Sequence, residues 1–179
     1  MIKLTTILTE VKYDTFPFNV LVSHAKRFNS FDEFVEFYTK NAATGVYWHF
    51  TRDPKFKPTN KITPTDLGPD FDLPALQKLG YTNGLMVTTN FDTWMGTIDQ
   101  TPRQYVALLD LSKYDPRKIK QLNRGFGNEY FLKHTSNVRV VGVYPLKDAA
   151  KLNRELKRVL PNPKKDQNML KSIYKRSKI

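Results

Sequence analysis

Five short blocks of this 179-residue chain, none longer than seven residues, are dense in β-branched, aromatic and other apolar residues: Gly45–Thr51, Gly84–Thr89, Tyr105–Leu111, Glu129–Leu132 and Val138–Tyr144. Runs this short, set off by Gly, Pro, Asn and charged residues, read as strands. Tyr105–Leu111 is nearly all apolar, as a strand buried on both faces is. Between the blocks the helical signals are brief. Ser30-Phe31-Asp32-Glu33 is a capping box, and Phe31, Phe34, Val35 and Tyr38 then form one apolar stripe, which predicts a helix over about Phe31–Asn41. Further helices are expected over Leu73–Leu79, from Asn90 through Trp94, after Asp115-Pro116 as far as Leu122, and over Lys147–Leu160. Strands and helices do not alternate regularly, so the expected class is α+β with a mostly antiparallel or mixed sheet in a single domain.

Composition narrows the chemistry. Twelve Phe, nine Tyr and two Trp are enough to fill a core, while the absence of cysteine excludes disulfides, thiolate zinc sites, iron–sulfur clusters and cysteine nucleophiles. His24, His49 and His134 are too scattered to propose a metal site. No apolar run approaches the roughly 18 residues of a membrane helix, and Met1–Leu8 does not read as a signal peptide; the expected location is cytoplasmic.

Twenty-nine bases against seventeen acids give a net charge of +12, unevenly spread. From Lys147 onward there are eleven bases and three acids, so +8 sits in the last 33 positions and +4 in the first 146. The end of the chain, 161–179, reads as a basic tail with too few apolar groups for a core element. Either it seeks a polyanion, such as nucleic acid or an acidic macromolecule, or it is a solvated end.

Two polar residues stand out in apolar surroundings. Glu129 is the only Glu between Glu36 and Glu155, and it opens a strand straight after the turn Arg124-Gly125-Phe126-Gly127-Asn128. It is either a chemical group or a strand-edge carboxylate, in solvent or paired with Arg124. His49, within a strand of aromatics, is likewise either a ligand contact or a structural histidine. No Walker loop, nucleophile elbow, His-Glu-x-x-His or paired-carboxylate signature occurs, and Gly125-x-Gly127 reads as a turn. Residues Thr51–Pro74 hold five of the eleven prolines and form a long loop.

In chain order these blocks resemble the ADP-ribosyltransferase superfamily, the fold shared by poly-ADP-ribose polymerases, bacterial ADP-ribosylating toxins and RNA 2′-phosphotransferases. Tyr47-Trp48-His49-Phe50-Thr51 is similar to the early Tyr-His-Gly-Thr/Ser box of its histidine-type branch, with an extra aromatic and with Phe50 in place of glycine. Gly84-Leu85-Met86-Val87-Thr88-Thr89 is similar to the second block. Glu129-Tyr130-Phe131-Leu132, followed by Val138–Val143, is similar to the late strand that begins with a Glu. Position 127 is Gly where arginine-directed toxins have Glu or Gln, which disfavours arginine as acceptor.

The resemblance spans about Gly45–Leu146. It implies an ADP-ribosyltransferase-like split antiparallel or mixed sheet with short flanking helices, divided into an N-terminal segment with a helix over 1–44, a catalytic-like core over 45–160 and the basic tail. NAD is the implied substrate, bound between the first two strands, with no metal. Glu129 is the implied catalytic residue, bonding the nicotinamide-ribose 2′-hydroxyl. His49 would hold the adenosine ribose and Thr51 a ribose or the nicotinamide. Thr88, Thr89 or Tyr81 would line the nicotinamide pocket, and Trp94 would stack on a ring, while the loop after Thr51 would cover the dinucleotide. The implied activity is transfer of ADP-ribose to a protein or nucleic acid. The alternatives are a basic nucleic-acid-binding accessory protein without catalysis and a structural or packaging protein.

Overall fold

The computed structural model describes residues 16–41, 43–59, 73–78, 83–95, 104–122 and 129–179. Each of the five expected strands forms, within two residues of its sequence limits: β1 Tyr47–Thr51, β2 Leu85–Thr88, β3 Tyr105–Asp110, β5 Glu129–Leu132 and β6 Arg139–Pro145. The helix expected to run to Leu122 is instead a 3-10 turn, Pro116–Lys118, followed by the short strand β4, Lys120–Gln121. Asp115 accepts the Arg117 N–H at 3.1 Å and Pro116 opens the turn, so the start signal holds and only the continuation fails. The six strands form one antiparallel sheet in the order β4-β5-β2-β1-β3-β6. Gly84 leads into β2 because β5 passes too close for a side chain: a Cβ there would meet the Leu132 carbonyl oxygen at 2.2 Å.

Both faces of the sheet are apolar. Trp48, Phe50, Val106 and Leu108 point to one side and are covered by helices α1 Phe18–Ala25, α2 Phe31–Lys40, α4 Phe91–Met95, α5 Leu146–Val159 and α6 Gln167–Arg176. Tyr47, Leu85, Val87, Ala107, Leu109, Tyr130 and Leu132 point to the other, where Val20, Leu111, Tyr114 and Ile119 close over them. Helix α3, Leu73–Lys78, lies in the connection between β1 and β2.

The end of the chain is a packed element. The reading of 161–179 as a tail too poor in apolar groups for the core is corrected by α6, whose Leu170 and Ile173 are fully buried against α1 and α2. Spacing matters more than number: Met169, Leu170 and Ile173 fall on one face of a ten-residue helix, leaving its bases outside.

One buried polar network ties the helical layer to the sheet. His24 of α1 is fully buried, and its Nε2 bonds the Leu111 carbonyl just after β3 at 2.8 Å. A carbonyl only accepts, so Nε2 carries the proton. The neutral ring then accepts at Nδ1 from the Tyr38 hydroxyl of α2, which is bonded in turn by Tyr47 of β1. Burial holds His24 down at about 4 from its ordinary 6.5, with the Leu111 bond partly opposing.

The consequence is a pH dependence of known sign. The unfolded chain takes up this proton near pH 6.5 and the folded chain only near pH 4, so stability is full above the window and falls as pH drops through it. The difference corresponds to about 3 kcal/mol. Urea denaturation from pH 7 to about 4 is expected to show the wild type losing about that much more stability than His24→Asn, because the variant has no imidazole to protonate. Equal losses would contradict the buried neutral ring.

Candidate functional site

The strand order makes neighbours of residues far apart in sequence. β5, β2 and β1 lie side by side; Glu129 pairs with Thr88, and Thr88 with Trp48. His49, Thr51, Thr88 and Glu129 are all buried, at 2 to 5 % exposure, within otherwise apolar strands. Polar groups in such a place are stable only when bonded. The Thr51 hydroxyl accepts the Asp53 N–H at 3.1 Å, and the Thr88 hydroxyl accepts the Asn90 N–H at 3.0 Å. His49 Nδ1 bonds the Met86 carbonyl at 2.7 Å, which places the proton on Nδ1.

Side chains alternate between the faces of a sheet, so the register sorts these residues. Trp48, Thr88 and Glu129 share the helix-covered face, whereas His49 and Thr51 lie with Tyr47 on the opposite one. Thr88 and Glu129 are thus brought together, and His49 and Thr51 are set across the sheet from them. Between them lies the β1–β2 boundary, where the strands pair at the single position Trp48–Thr88, against five positions between β1 and β3. At this seam the His49 ring supplies a bond to β2 that the backbone does not.

Phe56, in the segment after β1, stacks on the His49 ring with centroids 4.4 Å apart and planes at 28°. It closes the imidazole off from solvent. On the opposite face, beyond the end of β2, a cleft of about 450 Å³ opens between the β1–β2 end and the turn after α5. Its walls include Trp48, Thr89, Asn90, Asn153, Lys157 and Lys164. Asp92 orders one side by accepting from Asn153 Nδ2 at 3.2 Å and from the Lys157 ammonium. Thr89 is the sequence-selected residue that lines this cleft, and it follows Thr88, the ladder partner of Glu129. Beside it, the Tyr130 hydroxyl donates to the Asn41 carbonyl at 2.6 Å. Burial pushes that hydroxyl up to about 12, with the nearby Thr89 hydroxyl partly opposing.

Tyr81, Arg124 and the Gly125–Gly127 turn lie outside the described residues, as do most of the loop after Thr51 and the side chain of Trp94. Among the described residues no three His, Asp or Glu side chains gather as a metal site, and no helix is long and apolar enough to cross a membrane. Comparison with protein-family profiles, curated proteins and solved structures returns no match.

The cover over His49 is open to a direct check. His24 and His49 are buried and His134 is exposed, so diethyl pyrocarbonate is expected to modify a single histidine, His134, rapidly in the folded wild type. Phe56→Ala is expected to add a second reactive histidine at position 49. Unchanged stoichiometry in the variant would show that Phe56 is not what shields the ring.

Proposed function

We propose that this chain is an NAD-dependent ADP-ribosyltransferase-like enzyme that moves ADP-ribose from NAD, its substrate, to a macromolecular acceptor. One observation carries the reading: the three blocks that resemble the family's motifs occupy three adjacent strands, β1, β2 and β5, each with a buried polar residue, and Thr88 and Glu129 are ladder partners. Nothing about an apolar two-faced sheet requires a histidine, two threonines and a glutamate there. The sparse pairing between β1 and β2 supports the same reading, since two weakly paired strands can part to admit a ligand.

In this reading β1 and β2 part at their seam and the dinucleotide lies between them, reaching His49 and Thr51 on one face of the sheet and Thr88 and Glu129 on the other. Phe56 withdraws from His49 to admit the adenosine ribose. Nicotinamide leaves with the electron pair of its bond to ribose C1′, and positive charge develops on the sugar. The Glu129 carboxylate bonds the ribose 2′-hydroxyl and stabilises that charge more in the transition state than in the ground state. The acceptor nucleophile then bonds C1′ and gives up its proton.

Glu129→Gln keeps the size of the side chain and removes its charge. NAD is expected still to raise the melting temperature of this variant, while nicotinamide release falls about 100- to 1,000-fold. Glu129 is buried on an interior strand, so a carboxylate with no chemical role would show its loss in stability and leave turnover alone. Normal turnover in a folded Glu129→Gln protein would remove the catalytic assignment.

A further inference from the structure

The charge at the end of the chain is arranged on helices in a way its sequence count does not convey. On α5, Lys147, Lys151, Arg154 and Arg158 follow one another at intervals of four, three and four residues. At 3.6 residues per turn these spacings place all four in one row. The row lies opposite Ala149, Asn153 and Leu156, which face the core, and each of the four bases is exposed. α6 carries Lys171 and Lys175 four residues apart on the side away from the buried Ile173, and Lys178 follows two residues beyond the helix end. Lys164 and Lys165, both exposed, sit in the connection between the two helices.

Neutralisation within the protein does not account for these rows. Among the described residues Lys147, Lys151, Arg154, Arg158, Lys171 and Lys175 form no ion pair; Lys157, which pairs with Asp92, lies off the α5 row. Lys178 is held differently, donating to the Phe28 carbonyl at 2.8 Å and resting 4.8 Å above the Tyr174 ring. Its contact anchors the segment after α6 to the segment after α1. The core-facing sides of both helices are used up by packing, which leaves the basic rows as outward faces on a rigid support.

We propose that the α5–α6 pair is a nucleic-acid interface that binds the phosphate backbone without reading sequence. The α5 row is about 16 Å long at 1.5 Å per residue, enough to face several phosphates at about 3.4 Å per nucleotide along a strand. An anionic membrane fits less well. Helices that settle into a bilayer carry apolar side chains to insert, and the exposed large apolar residues of this region are only Val159 and Ile179. The interface is independent of the NAD reading, because neither row includes a residue assigned to that site.

Two variants with equal charge change test it. One replaces Lys147, Lys151, Arg154 and Arg158 with Gln; the other replaces the equally exposed Lys26, Arg27, Lys113 and Lys118. Binding to random-sequence duplex DNA and to single-stranded RNA is measured against salt for the full chain, with thermal melting to confirm the fold. The α5 variant is expected to lose affinity at least tenfold at low salt. Its log–log salt slope is expected to shrink by about three to four units, close to 0.9 for each phosphate no longer neutralised, with little change in the control variant. Equal losses in both would reduce the effect to net charge and overturn the interface. Binding by the wild type to phosphatidylserine vesicles but to neither nucleic acid would overturn the choice of partner.

Discussion

A single neutral imidazole ties α1 both to α2 and to the sheet. His24 takes a proton donor from α2 and gives its own proton to the backbone beyond β3, so α1, α2 and the sheet are fixed relative to one another through one ring. The wrong tautomer loses the bond to the Leu111 carbonyl, since two acceptors would then face each other. A charged ring would have to hold its charge in a place closed to solvent, and the Tyr38 proton would have to turn to another acceptor. The apolar stripes of α1 and α2 supply most of the burial; the network decides their alignment on the sheet.

That alignment matters because the sheet is covered on both sides. A two-faced apolar sheet leaves no inexpensive place for a polar side chain, so His49, Thr51, Thr88 and Glu129 mark where the core is interrupted. The interruption coincides with the seam where β1 and β2 are scarcely paired and His49 bonds β2 with its ring. Phe50, where the resemblance would have glycine, serves the core instead: it is buried and lies 5.5 Å from the Phe91 ring. In the proposed reading a nicotinamide contact on β1 would use backbone beside a bulky neighbour. The adjoining cleft, with Thr89 on one wall and two lysines on another, gives the seam an opening on its helical side.

Much of this is legible in the sequence. Blocks of β-branched and aromatic residues locate the strands, and the capping box locates α2: the Ser30 hydroxyl accepts the Glu33 N–H at 3.2 Å. The Glu33 carboxylate reaches back to the Asn29 N–H at 3.0 Å, one residue before the expected amide. α1 leaves no such mark because Pro17 before it supplies no side-chain cap and none of its eight residues is exposed, so it lacks the polar face that sets off a helical stripe. α6 is hidden by the bases that surround its narrow apolar face. The division of His49 from Glu129 across the sheet is not readable at all, since relative face depends on ladder register, and register is set by long-range packing. The basic row of α5 is present in the spacing of its residues but invisible to a count of charge.

The central claim is that the β1–β2–β5 seam is an NAD site with glycosidic chemistry. Incubating the wild-type chain with NAD labelled in its nicotinamide ring, and following free nicotinamide over time with and without cell protein and RNA as acceptors, tests that claim most directly. The account requires release that depends on the folded protein and a melting temperature raised by NAD, equivalent to about 2.7 kcal/mol at 100 times the dissociation constant. No release with any acceptor, together with no thermal shift at millimolar NAD, would contradict it and leave the four buried polar residues as structural ties.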